Sequence, residues 1–206
     1  MLTGSFFAQA AEIAVIVVDR AWHGVSETVV TATPAAGNVG PSTNLKTAVM
    51  DQRDLAFVPR VIVVGVGTSV NFPNNDAVSH QVYSFSAAKP FQLPLYRGQV
   101  HMPVIFDRPG LVVLGCNIHD LMVGYIYVTD APYFGKTDSG GALQLKGLPG
   151  GDYRIVIWSP FIADPPASLS RAIHIDGNES STIRVQLSQA LRAEPQPRPR
   201  RRGWWE

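Results

Sequence analysis

The stretch Val112–Val128 reads VVLGCNIHDLMVGYIYV. Two apolar runs flank a short loop, the pattern of two buried strands and their connection. Inside the loop stand Cys116, His119 and Met122, spaced C-x2-H-x2-M. A thiolate, an imidazole and a thioether are soft or borderline donors that suit copper. All three lie within seven residues, so one loop can aim them at one point. His80, in NNDAVSHQVYSFS, is the candidate fourth donor. Singly, each residue has a plainer reading. A cysteine after Gly115 reads as core, a methionine opening a strand as packing, and His80 as a hydrogen-bonded loop histidine. Order and spacing, taken together, point to a metal.

Outward from that loop the chain reads as β throughout. Ile13 to Val18, Glu27 to Thr33, Leu45 to Gln52, Val58 to Val64, Ser69 to Phe72 and Gln81 to Phe85 are expected strands. So are Val104 to Phe106, Leu111 to Leu114, Met122 to Val128, Ala142 to Leu145, Tyr153 to Trp158, Ala172 to Ile175 and Ser181 to Leu187. Residues 87–103 read as a long loop. No amphipathic helix of ten residues is found. Many short strands separated by turn signals predict an all-β sandwich architecture.

Composition narrows the function. The chain has 206 residues, 46% hydrophobic and only 16% charged, with a formal net charge of +1. Residues 192–206 hold five Arg and two Glu, leaving a body with 12 basic and 14 acidic side chains, a net of −2. That body offers no nucleic-acid surface. No segment reaches the roughly 20 apolar residues that span a bilayer. The one cysteine cannot form an intrachain disulfide. In an exported protein such a thiol is free, paired between chains or bound to something, and a free one is a liability unless it is buried or ligated. Ala8-Gln9-Ala10, after a short apolar stretch, resembles the end of a secretory signal, with cleavage near Ala10 or Ala11. There is no Gly-rich phosphate loop and no nucleophile–base pair. A second histidine-rich set for a trinuclear copper cluster, C-x3-C for a binuclear copper centre and C-x2-C-H for haem are all missing. An enzyme is not expected.

The order His80…Cys116-x2-His119-x2-Met122 resembles the cupredoxins, the blue-copper proteins. Phe72, Asn74, Asn75, Asp76 and His80 are similar to the cupredoxin strand that ends in a polar loop before the first histidine. The C-x2-H-x2-M spacing is similar to that of amicyanin; plastocyanin has two more residues before the methionine. His80 to Val128 also resembles bacterial sequences labelled methylamine-utilisation proteins. The resemblance covers roughly residues 45–130. It implies a Greek-key cupredoxin sandwich and one type 1 copper ion. His80, Cys116 and His119 would be the strong ligands and Met122 the axial one. It also implies that electrons leave through His119, and Leu121, Pro94 and Leu95 are candidates for an apolar rim around it. His23, His101 and His174 are expected on the surface or in turns, with His101-Met102 a minor candidate for a secondary copper contact.

A second resemblance lies in Phe134 to Trp158, FGKTDSGGALQLKGLPGGDYRIVIW. It matches the T-D-x-x-G…G-L-P-x-G-x-Y pattern of the carboxypeptidase-regulatory-like, transthyretin-like β-sandwich. Members of that family open with a strand pair similar to Ile13 to Thr33. The copper-site residues interrupt that pattern here, which predicts a cupredoxin unit inserted into the second, smaller sandwich. Strands within 13–33 should then pair with strands after 134.

The expected organisation is a signal remnant over 1–11 and N-terminal strands of the second sandwich over 12–38. A cupredoxin unit follows over 39–130, then the rest of the second sandwich over 131–188 and a disordered Pro/Arg-rich tail over 189–206. The expected function is a periplasmic blue-copper protein, monomeric, carrying single electrons between redox partner proteins. The alternatives are copper handling without electron transfer and a metal-free docking sandwich.

Overall fold

The structure, a computed structural model, describes residues 11–36, 47–98, 102–176 and 180–193. Most of the expected leader, His101 and tail residues 194–206 lie outside these. Among the described residues the chain is all-β, with a single four-residue 3-10 turn at Pro166–Leu169. None of their helices is long and apolar enough to cross a membrane.

The first sandwich is built from strands β1 (Ala11–Val18), β2 (Val29–Pro34), β13 (Tyr133–Lys136), β14 (Ala142–Leu148), β15 (Gly151–Trp158), β16 (Ser170–Ile175) and β17 (Ser181–Gln186). One sheet has the order β14-β1-β17 and the facing sheet β13-β2-β15-β16. β1 alternates because its odd-numbered residues face the core, so Ile13, Val15 and Val17 are fully buried. Each such side chain contributes about 1.5–3 kcal/mol relative to exposure. The β14 partner of β1 runs three residues past the expected end at Leu145. Gly147, at φ +76°, absorbs a bulge where Ala11 pairs with Leu148 and Glu12 with Lys146. Ala11, where the expected leader ends, opens β1 and is buried.

β1 and β2 pair with β14, β17, β13 and β15, all of which follow residue 130. The Thr137-Asp138 turn locks this arrangement. Thr137 Oγ1 donates to Val25 O at 2.8 Å and accepts from Thr28 N–H at 3.0 Å. Asp138 Oδ1 accepts from Gly140 N–H and Ala142 N–H. The Gly140-Gly141 corner then presses backbone to backbone on Gly24.

The chain between β2 and β13 forms the second unit. Its strands are β3 (Thr47–Val49), β4 (Asp51–Arg53), β5 (Ala56–Val58), β6 (Val61–Gly65), β7 (Thr68–Asn71), β8 (Tyr83–Ser84), β9 (Phe91–Gln92), β10 (Val104–Phe106), β11 (Gly110–Gly115) and β12 (Val123–Thr129). A β10-β7-β3 sheet lies with a β6-β12-β11-β8-β9 sheet, beside a β4-β5 ribbon. Their shared core includes Phe57, Phe72, Phe106, Val112, Leu114, Ile126, Cys116 and Met122. The expected strand Val58 to Val64 is broken at Pro59, which has no N–H for the ladder. The Gln81–Phe85 strand shrinks to two residues, and the expected loop 87–103 contains β9.

The two units meet through aromatic and charged side chains. Trp158 packs on Tyr125 and Tyr127, with ring centroids 6.0 and 5.4 Å away. Arg60 lies 5.2 Å over the Phe161 ring. Lys136 Nζ donates to Glu27 Oε1 and Val61 O, both at 2.8 Å.

Past β17 the chain stays tethered, so the expected tail does not begin at residue 189. Asp164, 7% exposed, accepts from Ser188 N–H and Oγ–H and from Gln189 N–H, and Arg192 N–H donates to Phe161 O. Burial pushes the Asp164 pKa up, but these donors outweigh it and the net shift is downward. A carboxylate with a depressed folded pKa stabilises above its unfolded value of about 3.9, and the contribution fades as pH falls through the folded value. Asp164→Ala should cost about 1.5–3 kcal/mol at neutral pH by removing the charged acceptor of these hydrogen bonds. Urea midpoints at pH 7 and in acid check this: the gap between variant and parent should narrow in acid.

Candidate metal centre

The site is built at the seam between β11, the β12 loop and the loop before β8. β11 ends at Gly115, where a larger residue would have to displace Tyr83. A Cβ there would lie 2.7 Å from the Tyr83 ring, packed across the strand. Cys116 follows and points into the core, 3% exposed. The loop then turns so that Met122 N–H donates to His119 O at 2.9 Å. Met122 is 1% exposed and packs in the same core cluster as Cys116.

His80 arrives from the other side and is 0% exposed. Its backbone makes a two-way bridge with Tyr96, each N–H reaching the other carbonyl at 3.0 Å. Asn74 pins both segments, donating from Nδ2 to Val78 O at 3.0 Å and Tyr96 O at 2.9 Å. Tyr96 O–H donates to Phe72 O and accepts from Gln52 Nε2. Burial pushes the Tyr96 phenol up to about 12, so it stays protonated and keeps donating. The segment 93–98, expected as plain loop, is thus a strap over the His80 backbone.

Three donors converge. His80 Nδ1 lies 3.1 Å from His119 Nδ1, and Cys116 Sγ lies 3.8 and 3.7 Å from those two nitrogens. The three residues form one group whose candidate ligand atoms all lie within 4.8 Å of one another. The imidazole rings meet edge-on, with centroids 4.8 Å apart. Donors that share one first-row ion at about 2.0–2.3 Å stand at separations of this kind. The hydrogen bonding fits as well. His80 Nε2 is 2.9 Å from Asp76 Oδ2. A carboxylate accepts only, so the neutral ring carries its proton on Nε2 and turns a lone pair from Nδ1 toward Cys116 and His119. Two nitrogens and a sulfur are a donor set suited to copper.

Asp76 is the participant that strand patterning did not single out. Leu55 N–H donates to its Oδ2 at 2.8 Å and Ala77 N–H to its Oδ1 at 2.7 Å. The Leu55 N–H first, then the His80 ring, hold its carboxyl down to about 2. The signal in the sequence was its position four residues before His80.

His119 is half-buried, in contrast to His80. In its own loop Leu121 is exposed, as is Ile118, which the sequence reading had not included in the rim; Pro94 and Leu95, in the strap at Tyr96, are also exposed. Met102 is exposed, and its neighbour His101 falls outside the described residues. His23 and His174 are exposed and pair with Asp19 and Asp152, away from this centre.

No protein-family model matches the sequence, and no curated protein does. Solved structures do match parts of it. A purple cupredoxin from Nitrosopumilus maritimus is 21% identical over 41% of this chain and 99% of that one, with a TM-score of 0.35. A reduced amicyanin mutant is 21% identical over 48% of this chain and 99% of that one, at 0.37. A copper-containing nitrite reductase from Thermus scotoductus SA-01 is 26% identical over 47% of this chain and 25% of that one, at 0.38.

Proposed function

We propose that the unit over residues 39–130 is a type 1 copper module set into a second sandwich, and that the protein carries single electrons between redox partner proteins. His80, Cys116 and His119 act as strong ligands and Met122 as the axial one. The observation that carries this reading is the convergence of His80 Nδ1, His119 Nδ1 and Cys116 Sγ within 3.1–3.8 Å. Bound copper supplies a one-electron couple, and a trigonal set with a weak axial donor is tolerated by both oxidation states. The protein does the rest. The strap at Tyr96 and the β11–β12 loop hold the donors in place, so little moves during transfer. The half-buried His119, with exposed Ile118 and Leu121 in its own loop, offers a contact for a partner. The second sandwich, transthyretin-like in its turn pattern, serves as a platform. We place the protein in the periplasm as a monomeric carrier rather than a catalyst.

Reconstitution with copper tests this. The expected result is one equivalent of copper and an intense visible thiolate-to-Cu(II) band. Stoichiometric Cu(I) without colour on oxidation would favour copper handling instead. No stoichiometric copper would reject both and leave a docking sandwich. Met122→Leu should keep the copper and the band but raise the reduction potential, because the axial donor tunes it. An unchanged potential would make Met122 a packing residue only.

A further inference from the structure

We propose that Asp76 is a positioning and tuning residue of this centre, forming a carboxylate–His80–copper chain that favours the oxidised state. This rests on the copper reading above. Three donors fix the carboxylate: Leu55 N–H, Ala77 N–H and the His80 ring, at 2.8, 2.7 and 2.9 Å. Asp76 N–H is held in turn by Asn74 Oδ1 at 3.0 Å, and Asn74 is itself anchored to Val78 and Tyr96. The carboxylate therefore does not move when the ring does, and it sets both the tautomer and the plane of His80. Such partners raise the basicity of a ligating imidazole.

The charge count gives the direction. The Cys116 thiolate and the Asp76 carboxylate together carry two negative charges beside a side chain that is 0% exposed. With Cu(II) the assembly is neutral. With Cu(I) it keeps one negative charge in a poorly solvated place, which is costly. A fixed anion one imidazole away thus stabilises the oxidised form. An Asp in a loop four residues before a histidine also serves as a simple turn former, and the two roles predict different measurements.

Asp76→Asn keeps an oxygen that accepts from His80 Nε2–H and removes the charge. In this variant the visible band should persist. The Cu(I)/Cu(II) ratio at a fixed potential should rise at least tenfold, about 59 mV for one electron. Cu(II) affinity should fall about 10–100-fold. A coloured variant with the parent's potential overturns the proposal, whatever its melting temperature. Ring nitrogen NMR of the copper-free protein is the independent arm. The parent should show His80 as the Nε2–H tautomer, and Asp76→Ala should lose that preference. An Nδ1–H tautomer in the parent overturns the proposal. Should the parent take up no copper while showing the Nε2–H form, the copper reading fails and the tuning role with it, but Asp76 is still seen to orient His80.

Discussion

Cys116→Ser is expected to abolish the visible band of the copper-loaded protein. The band requires a thiolate bound to Cu(II), and no other residue in the chain can supply one, since Cys116 is the only cysteine. A serine hydroxyl at neutral pH is neither anionic nor soft, so the remaining donors are two imidazoles and a thioether. Those hold copper more weakly and without the charge-transfer colour. The fold should survive. The side chain sits 3% exposed at a strand end, and its replacement is close to isosteric. The new hydroxyl would lie near two ring nitrogens that can pair with it. Far-UV circular dichroism of the copper-free variant separates loss of the site from loss of the fold. A folded Cys116→Ser protein that keeps its colour would reject the ligand assignment outright.

Gly24→Ala should bring the largest loss of stability and leave the copper colour alone. A Cβ at Gly24 would sit 2.1 Å from Gly140 O and 2.7 Å from Gly141 N. Both neighbours are backbone, and neither can swing aside as a side chain would. Gly141 is also bound: at φ +75° it takes a left-handed turn that few other residues adopt, and its carbonyl receives Val17 N–H at 2.8 Å. Separating the two chains would pull on β1 itself. Overpacking costs about 1–3 kcal/mol and sometimes more. At about 2–4 °C per kcal/mol for a chain of this size, a 3 kcal/mol loss lowers Tm by about 6–12 °C. Cys116 and Met122 belong to the other core cluster, so the band of the copper-loaded variant should keep its position. An unchanged Tm would mean that the corner yields more easily than its backbone contacts indicate.

The parts of the centre legible in the sequence were those close together along the chain. Cys116 and His119 share one loop, and so short a loop needs no fold to bring its donors near each other; Met122, in the same loop, packs in the core cluster of Cys116. His80 could be picked out because few histidines competed for the role. Asp76 was harder to see. Its link to His80 runs through an irregular loop held by Asn74, and neither the period of a strand nor that of a helix points to it. The longer strands showed as runs of β-branched residues, whereas β4, β5, β8 and β9 have only two or three residues each. Such elements are defined by their partners across space, so their own composition says little. The strap at Tyr96 is the clearest case. It makes backbone bridges to His80 and Asn74, yet its sequence, LPLYRG, reads as loop.

The parallel pairing of β1 with β17 has a consequence for how the protein folds. Ile13 meets Ser181 and Val18 meets Gln186, so the first described strand lies against the last described one. The stretch from β3 to β12 needs nothing beyond Thr129 to complete its own ladders. Domains generally fold as units. The inner unit can therefore close while AEIAVIVV still stands as an unpaired apolar strand with both edges bare. For that interval the chain carries a finished inner unit beside an aggregation-prone segment. The hazard ends only when Ser181–Gln186 pairs with it.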